Sequence, residues 1–123
     1  MTYVLIAIGG AGGAVTRFAL DSWVSARVGG DFPWGTLLIN VSGSFVLGLL
    51  FALTIERGVL SPELRAPLMI GFLGAYTTFS TWMLESWRLV EDGAVLAAML
   101  NVGGSVVLGM AAVIAGLAIG RKI

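Results

Sequence analysis

The chain has 123 residues, of which 58% are apolar and 11% charged, and its mean hydropathy is +0.98. Seven basic and seven acidic side chains cancel, so no charge-driven partner such as nucleic acid is implied. Cysteine and histidine are both absent, which excludes disulfides, thiolate or imidazole metal sites, and Cys/His or Ser/His/Asp catalysis. A soluble domain carries roughly 25% charged residues. With less than half of that, the sequence reads as an all-α membrane protein.

Charge-free runs set the spans: Met1–Thr16, Phe32–Ile55, Ala66–Leu84 and Gly93–Gly120. Crossing the hydrocarbon core takes about 20 mostly apolar residues. Four transmembrane helices are therefore predicted, at about 2–20, 35–55, 66–90 and 93–120, as a single four-span domain over 1–123. The first reaches span length only by running on to Leu20, which leaves Arg17 near an interface where it can snorkel. No signal peptide is expected, because no basic segment follows Met1. The connections carry the punctuation: Gly29-Gly30 and Pro33 in the first, Gly58 and Pro62 in the second, and Glu91-Asp92-Gly93 as the third. Trp23, Trp34 and Trp87 fall at one face and suit an interfacial aromatic belt.

An even number of spans puts both termini on one side. That side holds Arg57, Arg65, Arg121 and Lys122; the other holds Arg17, Arg27 and Arg88. A fixed topology normally shows a clear Lys/Arg excess on the cytoplasmic side. So even a split fits either the noise of a chain with few charges or insertion in both orientations with head-to-tail pairing. Four short helices are too few to enclose a solute path, so an oligomer is expected in either case.

Gly9/Gly13, Gly12/Thr16, Ser44/Gly48 and Gly116/Gly120 have small-xxx-small spacing, which lets helix backbones approach closely in lipid. The run Gly10-Ala11-Gly12-Gly13 lacks the third glycine, the preceding strand and the following acid of a nucleotide-binding turn. The third span is the informative one. Thr77, Thr78, Ser80 and Thr81 cluster near its middle, just after Gly71 and Gly74. Such a cluster suits a helix broken at the membrane midplane, whose freed backbone groups survive only when buried or lining a watery cavity. Freed carbonyls can hold a cation, and the following helix N-terminus favours an anion. The alternative is a continuous helix whose hydroxyls bond back to carbonyls one turn earlier. Asn40 with Thr36, Ser42 and Ser44 in the second span, and Asn101 with Ser105 in the fourth, must pair across helices or face a pore. All are neutral, and their amides and hydroxyls can donate hydrogen bonds, which suits a small anion that must shed water without being held too tightly.

Four motifs, in order, make the chain resemble the Fluc/CrcB family of bacterial fluoride channels along nearly its whole length. They are Gly9-Gly10-x-x-Gly13-Ala14-x-x-Arg17, then Gly35-Thr36-Leu37-x-x-Asn40-x-x-Gly43-x-Phe45-x-x-Gly48, then Gly71-Phe72-x-Gly74-x-x-Thr77-Thr78-Phe79-Ser80-Thr81, and finally Ser105 with Gly109. The third is the most specific. The resemblance implies an antiparallel, dual-topology homodimer in the bacterial inner membrane. It implies passive fluoride export through two pores, which lowers fluoride toxicity, and a structural sodium ion at the dimer centre. By motif position, sodium falls to the backbone carbonyls of Gly74 and Thr77. The anion path falls to Asn40, Phe79 and Ser105, with Thr36, Ser80 and Thr81 nearby and Glu85 close to the pore. Arg17 takes a structural or vestibule role. Trp82 departs from the family by replacing its second pore phenylalanine. Asn101 stands at a variable position, where it can join the donor track or bond a neighbouring helix.

The main rival is a small four-helix multidrug or cation exporter, also dual-topology, which needs a membrane-embedded carboxylate. Met1–Thr16 contains none, and Glu85 lies late in the third span. A packing or accessory subunit would leave the hydroxyl cluster unexplained. No enzyme is expected, for want of a nucleophile–base pair or paired intramembrane carboxylates.

Overall fold

Nothing in the first 28 residues interrupts a helix, and α1 runs over Thr2–Val28. At 1.5 Å per residue it spans about 40 Å, more than the hydrocarbon core requires. The computed structural model, which describes residues 1–123, thus moves the predicted end at Leu20. Asp21, Ser22, Ser25 and Arg27 prolong the helix into the polar margin, where helical backbone tolerates them. Gly29 and Gly30, at φ 65° and 80°, end it by adopting the left-handed backbone that favours glycine. Arg17 is followed by about three further turns, so it does not sit at the helix end. Arg27 lies over the Trp23 ring, 4.2 Å from its centroid.

The second helix, α2, spans Trp34–Phe51 and continues through a π-helical stretch, Ala52–Glu56. After a 3₁₀ turn at Pro62–Leu64, a second π-helical stretch, Ala66–Phe72, leads into the single α-turn α3, Leu73–Tyr76. Residues 77–79 are unwound. Then α4 covers Ser80–Glu91, and after a turn at Gly93 (φ 79°) α5 covers Val95–Lys122. Three helical runs are long and apolar enough to cross a membrane: Thr2–Val28, Trp34–Glu56 and Val95–Lys122. The third predicted span is the one that is divided.

Packing follows the small residues. A Cβ at Gly9 would strike the Pro67 carbonyl and one at Gly13 the Phe72 carbonyl, so α1 lies directly on the backbone ahead of the break. Across the α2–α5 contact, Gly48 abuts the Val113 carbonyl and Gly116 the Phe45 carbonyl. Close backbone approach replaces the hydrophobic drive that lipid removes. Thr16 instead turns its hydroxyl back to the Gly12 carbonyl at 2.8 Å. The interior is small, centred on Ile39, Leu73 and Tyr76 with Phe72, Leu20 and Leu50 around them. Only 20 of 123 residues are buried, and the outward side chains include Val15, Phe18, Leu96 and Val107. Lipid solvates such a surface and water does not, so the chain is a multi-pass membrane protein.

Both ends are tied. At one, Thr36 donates to Glu85 at 3.0 Å and a Cβ at Gly35 would meet the Asp21 carboxylate, which ties the start of α2 to α4 and to α1. At the other, Arg121 makes two bonds to Glu56, at 2.7 and 2.8 Å, and Arg65 donates to the Thr54 carbonyl at 2.8 Å.

Candidate functional site

Thr77 leaves the helix at φ −79°, ψ 157°, extended backbone. Its N–H and its hydroxyl both donate to the Leu73 carbonyl, each at 3.0 Å, which closes the last turn of α3. The next N–H, that of Thr78, would go to the Gly74 carbonyl if the helix continued. It donates instead to Asn40 Oδ1 at 2.8 Å, while Asn40 Nδ2 donates to the Thr78 carbonyl at 2.9 Å. A carboxamide carries the same donor and acceptor as a peptide group. Asn40 therefore pairs with the Thr78 main chain much as a neighbouring strand would. The Thr78 hydroxyl donates to that of Thr81 at 3.0 Å and accepts from the Thr81 N–H at 3.4 Å, which satisfies one free N–H in the first turn of α4. The hydroxyl cluster thus organises a break. Only Thr77 uses its hydroxyl in the back-bonding manner of a continuous helix.

The pairing has a consequence at Gly74. Its carbonyl loses its helical donor, and a Cβ at this glycine would meet nothing nearer than the Met69 carbonyl at 3.9 Å. The Phe79 N–H makes no main-chain hydrogen bond. Both residues line an open cavity of about 450 Å³, together with Asn40, Thr77, Trp82 and Ser105 among the residues singled out from the sequence. Leu47, Met69, Val106 and Met110 supply apolar wall. Phe79 is 71% exposed, and its ring meets Trp82 edge to face with centroids 5.6 Å apart. No acidic or basic side chain lines the cavity.

The remaining sequence-predicted residues lie elsewhere. Thr36, in the first turn of α2, is bonded to Glu85, midway along α4. Ser80 and Thr81 are exposed, with the Thr81 hydroxyl engaged by Thr78. Arg17 is half-buried on α1. Asn101 is fully buried and donates to Ser86 Oγ at 2.9 Å, so of its two sequence readings the structure gives the interhelical bond. Trp82 lines the cavity, and its indole N–H donates to the Asn101 carbonyl on α5 at 3.1 Å. Thr78, which organises the break, was not separable by sequence from the threonine beside it.

The cavity and break can be set beside known proteins. A family model described as CrcB-like protein, Camphor Resistance (CrcB), matches residues 4–117. The chain is 52% identical over 118 residues to the fluoride-specific ion channel FluC of Methylococcus capsulatus, covering 96% of this chain and 52% of that protein. It is 48% identical over 120 residues to FluC of Hahella chejuensis, covering 98% of this chain and 94% of that one. With FluC 1 of Symbiobacterium thermophilum identity is 47% over 121 residues and 98% of both chains. The chain thus spans about half the length of the Methylococcus relative and nearly all of the other two. A match over almost every residue, helix break included, means that the chain belongs to the CrcB family.

Proposed function

We propose that this chain is a fluoride-selective passive channel of the bacterial inner membrane, and not an enzyme, which lets fluoride leave the cytoplasm and so lowers its toxicity. The observation that carries the reading is the uncharged cavity beside the break, with Asn40, Ser105 and Phe79 among its lining residues. An anion as small as fluoride gives up strongly bound water only where donors replace it. Fixed cations would hold it too tightly to conduct. The electropositive ring edges of Phe79 and Trp82 suit the same ion. The full names of the relatives, fluoride-specific ion channels, support this choice of substrate.

The working unit in this reading is an antiparallel homodimer with two pores, formed by a chain that inserts in both orientations. The cavity is open, and in this reading a second copy closes it. The near-even split of Lys and Arg between the two ends supports dual insertion. A sodium ion at the dimer centre fits the donors available. The Gly74 carbonyl has lost its helical donor and the Thr77 carbonyl lies on extended backbone; both are neutral oxygens of the kind a hard cation accepts. These two carbonyls would hold it, and when bound it supplies a fixed positive charge that favours anions nearby.

A carboxylate-driven cation exporter is disfavoured because Glu85 is bonded to Thr36 and lies outside the cavity. Growth separates the two. Bacteria lacking their own fluoride exporter should regain growth in millimolar fluoride when this chain is expressed, with no gain in resistance to cationic drugs. Drug resistance without fluoride resistance would overturn the proposal.

A further inference from the structure

Ser105 lines the cavity, yet its hydroxyl is buried and has no hydrogen-bond partner in the chain. A helical serine can bond its hydroxyl three residues back, as Ser42 does on Ile39 at 3.1 Å, but bonds more closely to the carbonyl four residues earlier, as Ser44 does on Asn40 and Ser86 on Trp82, each at 2.7 Å. For Ser105 that carbonyl belongs to Asn101. A carbonyl oxygen has two lone pairs. In α5 one accepts the Ser105 N–H by helix geometry, and the other accepts the Trp82 indole N–H at 3.1 Å. The acceptor is full.

The arrangement is locked from three sides. Trp82 donates to the Asn101 carbonyl, Asn101 Nδ2 donates to Ser86 Oγ, and Ser86 donates back to the Trp82 carbonyl. The loop fastens α4 to α5 one turn from Ser105. A phenylalanine at position 82 could fill the same space but would leave the Asn101 carbonyl open.

We infer that Trp82 is a positioning residue: by occupying the Asn101 carbonyl it denies Ser105 its closer back-bond and leaves the buried Ser105 hydroxyl unpaired at the cavity wall, a donor for an anion that presses in against it. The inference rests on the anion-channel reading for its consequence but not for its geometry. Without the indole N–H, the Ser105 hydroxyl turns onto the Asn101 carbonyl and the cavity loses one donor. Net hydrogen-bond strengths put the cost at about threefold to tenfold in anion flux.

The test replaces Trp82 with 3-benzothienylalanine, which keeps the bicyclic shape and lacks the N–H. Fluoride efflux from liposomes is compared with that of wild type, of Ser105→Ala, and of the two changes combined. The expected result is that each single change slows efflux by a similar factor and the combination slows it no further. Unchanged efflux with the isostere, or losses that multiply, would overturn the assignment. A high-resolution structure of the isostere variant is the flux-independent arm. It should show Ser105 Oγ within about 2.8 Å of the Asn101 carbonyl; a hydroxyl that has not turned onto that carbonyl would refute the inference even if wild-type protein passed no fluoride. Silent wild-type protein whose isostere variant shows that rotation would sink the channel reading alone.

Discussion

Asn40→Asp should lower fluoride flux roughly 100- to 1,000-fold, the largest effect expected of any single substitution in this chain. The change acts twice. An unpaired carboxylate about 4 Å from a passing anion costs about 4 kcal/mol at the effective dielectric of a protein margin, about a thousandfold in rate. It also removes the Nδ2 donor now bonded to the Thr78 carbonyl and sets an anionic oxygen in its place. Asn40→Ala separates the two effects, because it deletes both bonds without adding charge. The Thr78 N–H and carbonyl, on a residue only 9% exposed, would lose their partner. Buried unsatisfied groups cost about 1–3 kcal/mol each, so the break should loosen. Hydrogen exchange over residues 76–81 in detergent should rise markedly in both variants. Wild-type flux in Asn40→Asp, or unchanged exchange in Asn40→Ala, would contradict the roles assigned here.

Gly116→Ala should destabilise the fold by about 1–3 kcal/mol although it adds a single methyl group. The new Cβ would overlap the Phe45 carbonyl and come within 2.8 Å of the Leu49 nitrogen, both of them main-chain atoms that no rotamer change can move. The helices would have to separate along the α2–α5 contact, which also carries Ser105 toward or away from Asn40. Loss of stability and loss of flux should therefore appear together. Gly10→Ala is the control. Its Cβ would meet only the Gly71 carbonyl, at an ordinary 3.8 Å, and helix propensity favours alanine by about 1 kcal/mol. Denaturation by titrated detergent reads both. A Gly116→Ala protein as stable as wild type would show that α2 and α5 are not held by that approach.

Much of this was legible in the sequence, for identifiable reasons. Charge-free length marks a span independently of packing, so the apolar runs and the divided third helix could be read from one dimension. The hydroxyl run at 77–81 marked the break because those side chains compete with helical backbone bonds. Helix ends were less legible: Asp21 to Arg27 look like a loop by charge, yet an interfacial helix accepts them until Gly29-Gly30. Long-range pairings were not legible at all. Asn40 reads equally well as a pore donor or an interhelical tie, and it took the fold to bring it onto Thr78, 38 residues away. The same holds for Thr36 and Glu85, which the family resemblance set near the pore and which bond each other, and for Asn101, whose donor goes to Ser86.

The most direct measurement of the central claim is anion efflux from liposomes that contain the purified protein, with fluoride and chloride electrodes read after a potassium ionophore is added. A passive fluoride channel predicts rapid fluoride release with negligible release of chloride. No fluoride release from protein shown to be folded, or equal release of both anions, would contradict it.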